Sequence, residues 1–128
     1  HLPYGQPLLL LQHDLGGNDM NDSVLQELYQ VVLGRKSTPR EGSYTCYLFD
    51  KGLDKILKKV GEECSETIIA AKNGRQEETV GEISDQIYHL MVMMAQQNIP
   101  LEAVLEELSR RSQKIGNLKQ MKSVDRET

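Results

Sequence analysis

An Asn73-Gly74 pair interrupts the stretch 59–89, KVGEECSETIIAAKNGRQEETVGEISDQIYH, and splits it into two helical patterns that must fold back on each other. An acidic cluster lies on each side of the break, Glu62-Glu63-x-x-Glu66 before it and Glu82-x-x-Asp85 after it. Residues three and four apart share a helix face, so Glu63 projects with Glu66, Glu62 with Glu66, and Glu82 with Asp85. An antiparallel hairpin closed at Gly74 therefore gathers these carboxylates at one place.

Carboxylates that close repel one another unless a cation neutralises them or some stay protonated. All the candidate ligands are oxygens, with no thiolate and one imidazole, His89, near by. That set suits Mg²⁺, or Mn²⁺ in its place, better than zinc. The competing explanation is two amphipathic helices with solvated acidic faces, which is the ordinary meaning of a single E-x-x-E. Two clusters opposed across one hairpin are a less ordinary arrangement.

The chain has 128 residues, the size of one domain. Fifteen basic and nineteen acidic side chains leave a net charge of −4, which argues against a nucleic-acid partner. An anionic substrate then needs a metal or a local basic patch. Cys46 and Cys64 form no C-x-x-C and no zinc-ligand spacing, as expected of reduced thiols in a cytoplasmic protein. The run Leu8 to Leu11 is too short to cross a membrane and lacks the basic flank of a signal peptide. Residues 1–19, which carry Pro3, Pro7 and Gly16-Gly17 ahead of Met20, are expected to be a non-native leader or appended arm. The folded domain is expected to occupy 20–118, followed by a polar tail over 119–128.

Helical spacing of Val24, Leu25, Leu28, Val31 and Val32 predicts a first helix, started by a Ser23/Gln26 capping box and ended by Gly34. Arg35, Lys36 and Arg40 then lie in a loop punctuated by Pro39 and Gly42, a basic segment that suits either phosphate or plain solvent. Ser43-Tyr44-Thr45 opens a short helix that ends near Gly52. The helix at 53–72 puts Leu53, Leu57, Val60, Cys64, Ile68 and Ala71 on a core stripe, with Glu62, Glu63 and Glu66 on the far side. Lys59, on the acidic side, suits a substrate phosphate and equally an i,i+4 partner for Glu63.

The helix at 76–97 puts Val80, Ile83, Ile87, Leu90, Met91 and Met94 on a core stripe. Its second face carries Glu78, Glu82, Asp85 and His89. The missing side chain of Gly81 would allow a neighbour to approach closely. Pro100 starts a last helix over 101–115. No strand alternation competes after Met20, so the fold class is all-α. Two long helices make a thin core for one chain of this size, and a homodimer that pairs hairpins into a four-helix-type bundle would cover the excess apolar surface.

The signature E-E-x-x-E followed by E-x-x-D resembles that of the MazG-like all-α nucleoside-triphosphate pyrophosphohydrolases. With Ser43-Tyr44-Thr45, Lys58-Lys59-Val60-Gly61-Glu62-Glu63, Ala70-Ala71-Lys72 and Asp85-x-x-Tyr88-His89, the chain resembles the phosphoribosyl-ATP pyrophosphohydrolase family of histidine biosynthesis from about Val24 to Arg111. Cys64 stands where that family usually has a small residue. The resemblance implies hydrolysis of 1-(5-phosphoribosyl)-ATP to the AMP derivative and pyrophosphate. It implies Glu63, Glu66, Glu82 and Asp85 as Mg²⁺ ligands. Glu62 and Glu63 would serve catalysis, Glu62 as a further ligand or as the group that orients the attacking water. Lys59, Lys72, Arg75, His89, Ser43 and Tyr44 would contact substrate or phosphate. The same acidic signature also suits a house-cleaning enzyme acting on dCTP, dUTP or a damaged nucleotide. A non-catalytic helical dimerisation module is the alternative outside enzymology.

Overall fold

The computed structural model describes residues 20–116, which form five helices and no strand. They are α1 (Met20–Ser37), α2 (Tyr44–Lys51), α3 (Leu53–Lys72), α4 (Gln76–Gln96) and α5 (Leu101–Gly116). The all-α expectation holds among the described residues. The expected leader at 1–19 lies outside them, as do 117–118 of the expected domain and the tail at 119–128.

The hairpin of α3 and α4 is the frame of the fold. Its turn closes where the sequence places it. Asn73 N–H donates to the Ile69 carbonyl at 3.0 Å and Gly74 N–H to the Ala71 carbonyl at 3.1 Å, with Gly74 at φ 72°. A left-handed residue just past a helix end satisfies carbonyls that the helix itself leaves open, and glycine takes that conformation without a Cβ penalty.

The first helix departs from its predicted limits at both ends. It begins at Met20, which puts Ser23 inside the helix instead of at its cap, and it runs through Gly34 to Ser37. The extension has a long-range cause. It carries Lys36 to the end of α4, where the ammonium donates to the Ala95 carbonyl at 2.7 Å and to Asn98 Oδ1 at 3.2 Å. A lysine that satisfies the last carbonyls of another helix also complements its dipole. One turn into the same region, the Tyr29 hydroxyl donates to the Ile99 carbonyl at 2.6 Å.

The short helix α2 is capped as the sequence suggests. Ser43 Oγ accepts from Cys46 N–H at 3.2 Å, and Gly52 closes the helix by donating to the Leu48 carbonyl at 3.0 Å. Gly52 also precedes α3, accepting from Ile56 N–H, and sits at φ 95°, ψ −176°. That region of backbone space is open essentially to glycine alone. An added Cβ would meet nothing within 4 Å, so any cost of substitution is conformational and not steric. Gly52→Ala is expected to lower stability by about 1–3 kcal/mol, read as a lower urea midpoint with an unchanged slope.

The core lies at the base of the hairpin, away from its tip. Leu28, Tyr29 and Val32 of α1, Leu48 of α2 and Ile56 of α3 pack there with Tyr88, Met91, Val92, Met94 and Ala95 of α4 and Leu101 of α5. A buried hydrogen bond between the Thr45 and Tyr88 hydroxyls joins α2 to α4 inside this cluster. Burial drives the Tyr88 hydroxyl pKa upward, so it stays protonated and able to donate.

The inward face of α3 and that of the first half of α4 differ from those predicted. On α3 the buried residues are Ile56, Glu63 and Ala70, whereas Leu57, Cys64, Ile68 and Ala71 of the predicted core stripe are exposed. On α4 the buried set contains Asp85, Tyr88, His89, Val92 and Ala95 as well as the predicted Met91 and Met94. Val80, Ile83 and Ile87 face outward at 56%, 43% and 37% exposure. Glu63 and Asp85 of the hairpin thus face inward, Glu62 and Glu66 stay exposed, and much of the apolar stripe is left on the other side. Among the described residues, nothing lies within 4 Å of where a Gly81 Cβ would stand, so they show no close approach there.

Candidate metal centre and active site

The tip half of the hairpin has carboxylates where the base half has apolar side chains. Glu63 and Glu66 reach across from α3 to Glu82 on α4, with one oxygen of each lying within 4.8 Å of the others. Asp85, one turn beyond Glu82, is buried on the same face of α4 at 3% exposure but stands outside this trio. Glu63 is equally buried, and its pKa is raised, first by desolvation and then by repulsion from Glu66 and Glu82. Three converging carboxylate oxygens with an unfavourable charge balance fit a hard divalent cation, which takes oxygen ligands and removes that repulsion.

Lys59 lies one turn before the cluster. Its ammonium is 3.2 Å from Glu62 Oε1 and 3.8 Å from Glu63 Oε2. Partial burial works against its charge, but Tyr44, Glu62 and Glu63 outweigh that and raise its pKa. Lys59 therefore remains a cation that offsets part of the acidic charge. The helix-partner reading is the geometry found, and the ammonium stays at the margin of the site.

Tyr44 and His89 complete this wall. Tyr44 Oη lies 3.0 Å from His89 Nε2, and His89 Nδ1 lies 2.8 Å from the Asp85 carbonyl oxygen. Tyr44 stacks on Tyr47 with ring centroids 6.1 Å apart, which fixes the ring. Ser43, by contrast, uses its hydroxyl to cap α2. It lines a separate cavity of about 950 Å³ with Arg35, Lys36, Arg40 and Tyr44, so the basic segment, its first two cations in the last turn of α1, does form one wall of a hollow beside Tyr44. Within that wall Lys36 is committed to the end of α4.

Among the described residues, no contact brings Lys72 or Arg75 to the cluster. Both sit at the exposed hairpin tip, where Arg75 pairs with Glu78 at 3.1 Å. One residue near the site escaped the sequence reading. Thr67 Oγ1 lies 2.9 Å from the Glu63 carbonyl oxygen and 2.9 Å from Gln86 Oε1, and so bridges the two helices beside the carboxylates. Its position one turn after Glu63 was the available signal. Glu78, expected on the Glu82 face, and its neighbour Glu77 lie beside the cluster. They line an open groove with Glu66, Gly81 and Glu82.

An antiparallel helical hairpin that opposes E-E-x-x-E to E-x-x-D, with three of its carboxylates converging, accords with the sequence resemblance to the all-α pyrophosphohydrolases. Residues 25–112 match the model of the family described as phosphoribosyl-ATP pyrophosphohydrolase. The chain is 54% identical over 102 residues to the phosphoribosyl-ATP pyrophosphatase of Listeria monocytogenes serotype 4b (strain CLIP80459), covering 80% of this chain and 98% of that one. It is 50% identical over 99 residues to the phosphoribosyl-ATP pyrophosphatase of Clostridium novyi (strain NT), covering 77% and 90% respectively. Its identity to the protein of the same name from Clostridium acetobutylicum is 53% over 102 residues, covering 80% and 92%. The chain belongs to the phosphoribosyl-ATP pyrophosphohydrolase family. Among the described residues, no helix is long and apolar enough to cross a membrane.

Proposed function

We propose that this chain hydrolyses 1-(5-phosphoribosyl)-ATP to 1-(5-phosphoribosyl)-AMP and pyrophosphate, the second step of histidine biosynthesis, as a Mg²⁺-dependent cytoplasmic homodimer. The observation that carries the reading is the meeting of the Glu63, Glu66 and Glu82 carboxylates within 4.8 Å in a chain of this family. Glu63, Glu66, Glu82 and Asp85 hold the cation, for which Mn²⁺ is the natural substitute. When bound, Mg²⁺ supplies neutralisation of the phosphate charge and of the leaving pyrophosphate, and acidifies water.

The residues of the chain do the rest. Glu62, more exposed than Glu63 and held by Lys59, orients the attacking water and takes its proton. The water oxygen bonds to phosphorus, the anhydride bond joining the first and second phosphoryl groups breaks, and its bridging oxygen leaves with pyrophosphate. No Ser or Cys has a base at a spacing that would make it the nucleophile. Lys59 balances charge at the cluster. Lys72 and Arg75, on the exposed tip, are available to substrate phosphates there or at the site of a second copy.

The apolar stripe supports the dimer. Leu57, Ile68, Val80, Ile83 and Ile87 are each more than a third exposed on the face opposite the carboxylates, an arrangement that a second hairpin would cover. The free thiols Cys46 and Cys64 accord with a reducing compartment. The deciding assay measures pyrophosphate released from phosphoribosyl-ATP, dCTP and dUTP, with Mg²⁺ and with EDTA. Release from phosphoribosyl-ATP alone, abolished by EDTA, is expected; preferential release from dCTP or dUTP would refute the substrate assignment.

A further inference from the structure

The cavity of about 950 Å³ between the end of α1, the basic loop and α2 lies beside the carboxylate site and is not part of it. Its volume is that of a small-molecule pocket, about 300–1,000 Å³. Tyr44 joins the two hollows. Its side chain borders the cavity, and its hydroxyl lies 3.0 Å from His89 Nε2 on the carboxylate side.

The shape of the cavity is held by the Cys46 thiol. Cys46 Sγ accepts from Arg40 N–H at 3.2 Å and lies 3.4 Å from the Arg35 carbonyl oxygen, to which the S–H donates. Ser43 N–H donates to the Arg40 carbonyl at 3.2 Å, and Gly42 turns the chain at φ 81°. The last turn of α1 and the loop are thereby tied to α2 at the two positions that carry arginines. Tyr47, stacked on Tyr44, closes the aromatic side.

The lining carries Arg35, Lys36 and Arg40 against Glu41 and Asp50, and Lys36 is committed to the end of α4. Among the described residues, no ion pair engages either arginine. Guanidinium forks match the oxygens of a phosphate. Carboxylates accept from sugar hydroxyls, as they do in nucleotide sites that hold a ribose. A lining with two available cations and two carboxylates therefore suits one phosphate joined to a diol. A triphosphate would need an excess of cations or a metal.

The substrate proposed above has two anionic ends. The triphosphate is the end that is cut, and it belongs with the cation at Glu63, Glu66 and Glu82. The other end is a phosphate monoester on a second ribose, which ATP lacks. We infer that the cavity holds this 5-phosphoribosyl group, with Arg35 and Arg40 on its phosphate and Glu41 and Asp50 on its hydroxyls, and so selects phosphoribosyl-ATP over ATP. The inference rests on the reading of the carboxylate face as the hydrolytic site for that substrate.

Binding of phosphoribosyl-AMP and of AMP is measured by titration calorimetry in Mg²⁺ buffer. The wild type is expected to hold phosphoribosyl-AMP about 10²-fold more tightly, since only that nucleotide carries the group. Arg40 is exposed, so Arg40→Gln should fold as the wild type does. It is expected to weaken phosphoribosyl-AMP about tenfold and to leave AMP unchanged, and Arg35→Gln should do the same. With phosphoribosyl-ATP the loss should appear in KM more than in kcat, and inhibition by inorganic pyrophosphate should not move. Equal weakening of both nucleotides, or an unchanged affinity for phosphoribosyl-AMP in both variants, overturns the inference. Weaker inhibition by pyrophosphate also overturns it, because the arginines would then serve the triphosphate. Wild-type protein that prefers phosphoribosyl-AMP through these arginines yet releases no pyrophosphate refutes the hydrolytic reading and leaves the cavity assignment standing. Release of pyrophosphate from phosphoribosyl-ATP by a protein that binds phosphoribosyl-AMP and AMP alike refutes the cavity assignment alone.

Discussion

Glu63→Gln is expected to reduce pyrophosphate release by about 10²–10³-fold, the scale on which a single preorganised electrostatic group acts, while making the metal-free protein harder to melt. The second effect follows from the raised pKa of Glu63, caused first by burial and then by Glu66 and Glu82. An acid whose pKa is higher in the folded state binds its proton more tightly there than in the unfolded chain. Stability therefore falls as pH rises from the ordinary carboxylate range through the folded pKa, and it stays lower at neutral pH. Removing the charge recovers that loss, less the 3.8 Å ion pair with Lys59. The metal-free variant should therefore melt above the metal-free wild type. Mg²⁺ should raise the melting temperature of the wild type and leave the variant nearly unmoved, because only a folded site with its ligands links binding to stability. Thermal melts with Mg²⁺ and with EDTA, alongside the activity assay, check each part. Unchanged turnover in Glu63→Gln would sink the metal-site model.

The parts of this fold that were legible in the sequence are those with local causes. Asn73-Gly74 sets the hairpin turn, Ser43 caps α2, Gly52 ends it, and Pro100 precedes α5, all within a few residues of the effect. The meeting of Glu63, Glu66 and Glu82 was legible too, because i,i+3 spacing and an antiparallel turn suffice to place it. The end of α1 was not, since its cause is a lysine reaching carbonyls at Ala95, far along the chain. The choice of inward face failed for a different reason. α3 has an acidic side and an apolar side, and a rule that buries the apolar side assumes the chain has only itself to pack against. Here the acidic side is turned partly inward instead, with Glu63 and Asp85 buried at 3% exposure each. Sequence periodicity gives the angle between two faces but not which of them meets the same chain.

That leftover stripe carries the prediction with the second large effect, the conversion of a dimer into a monomer by one charge. Ile83 stands near the middle of the outward face of α4, on the opposite side of that helix from Asp85, and is 43% exposed in the single chain. Ile83→Arg should therefore leave the protomer folded, since the guanidinium has solvent in the isolated chain. In the proposed dimer the same group would be buried against a second hairpin with Leu57, Ile68, Val80 and Ile87 around it. An unpartnered charge in such a place costs about 3–5 kcal/mol, which weakens association by about 10²–10⁴-fold. Light scattering across a dilution series should give a dimer for the wild type and a monomer for the variant, with helical circular dichroism alike in both. A variant that stays dimeric would place the interface elsewhere and leave the stripe exposed for another reason. A wild type that is monomeric at high concentration would remove the dimer from the proposal. If the tip residues Lys72 and Arg75 serve the site of a second copy, the monomeric variant should also lose turnover, although every carboxylate remains in place. Retained turnover in a proven monomer would instead mean that one chain carries the whole site, with Lys59 as the cation closest to its carboxylates.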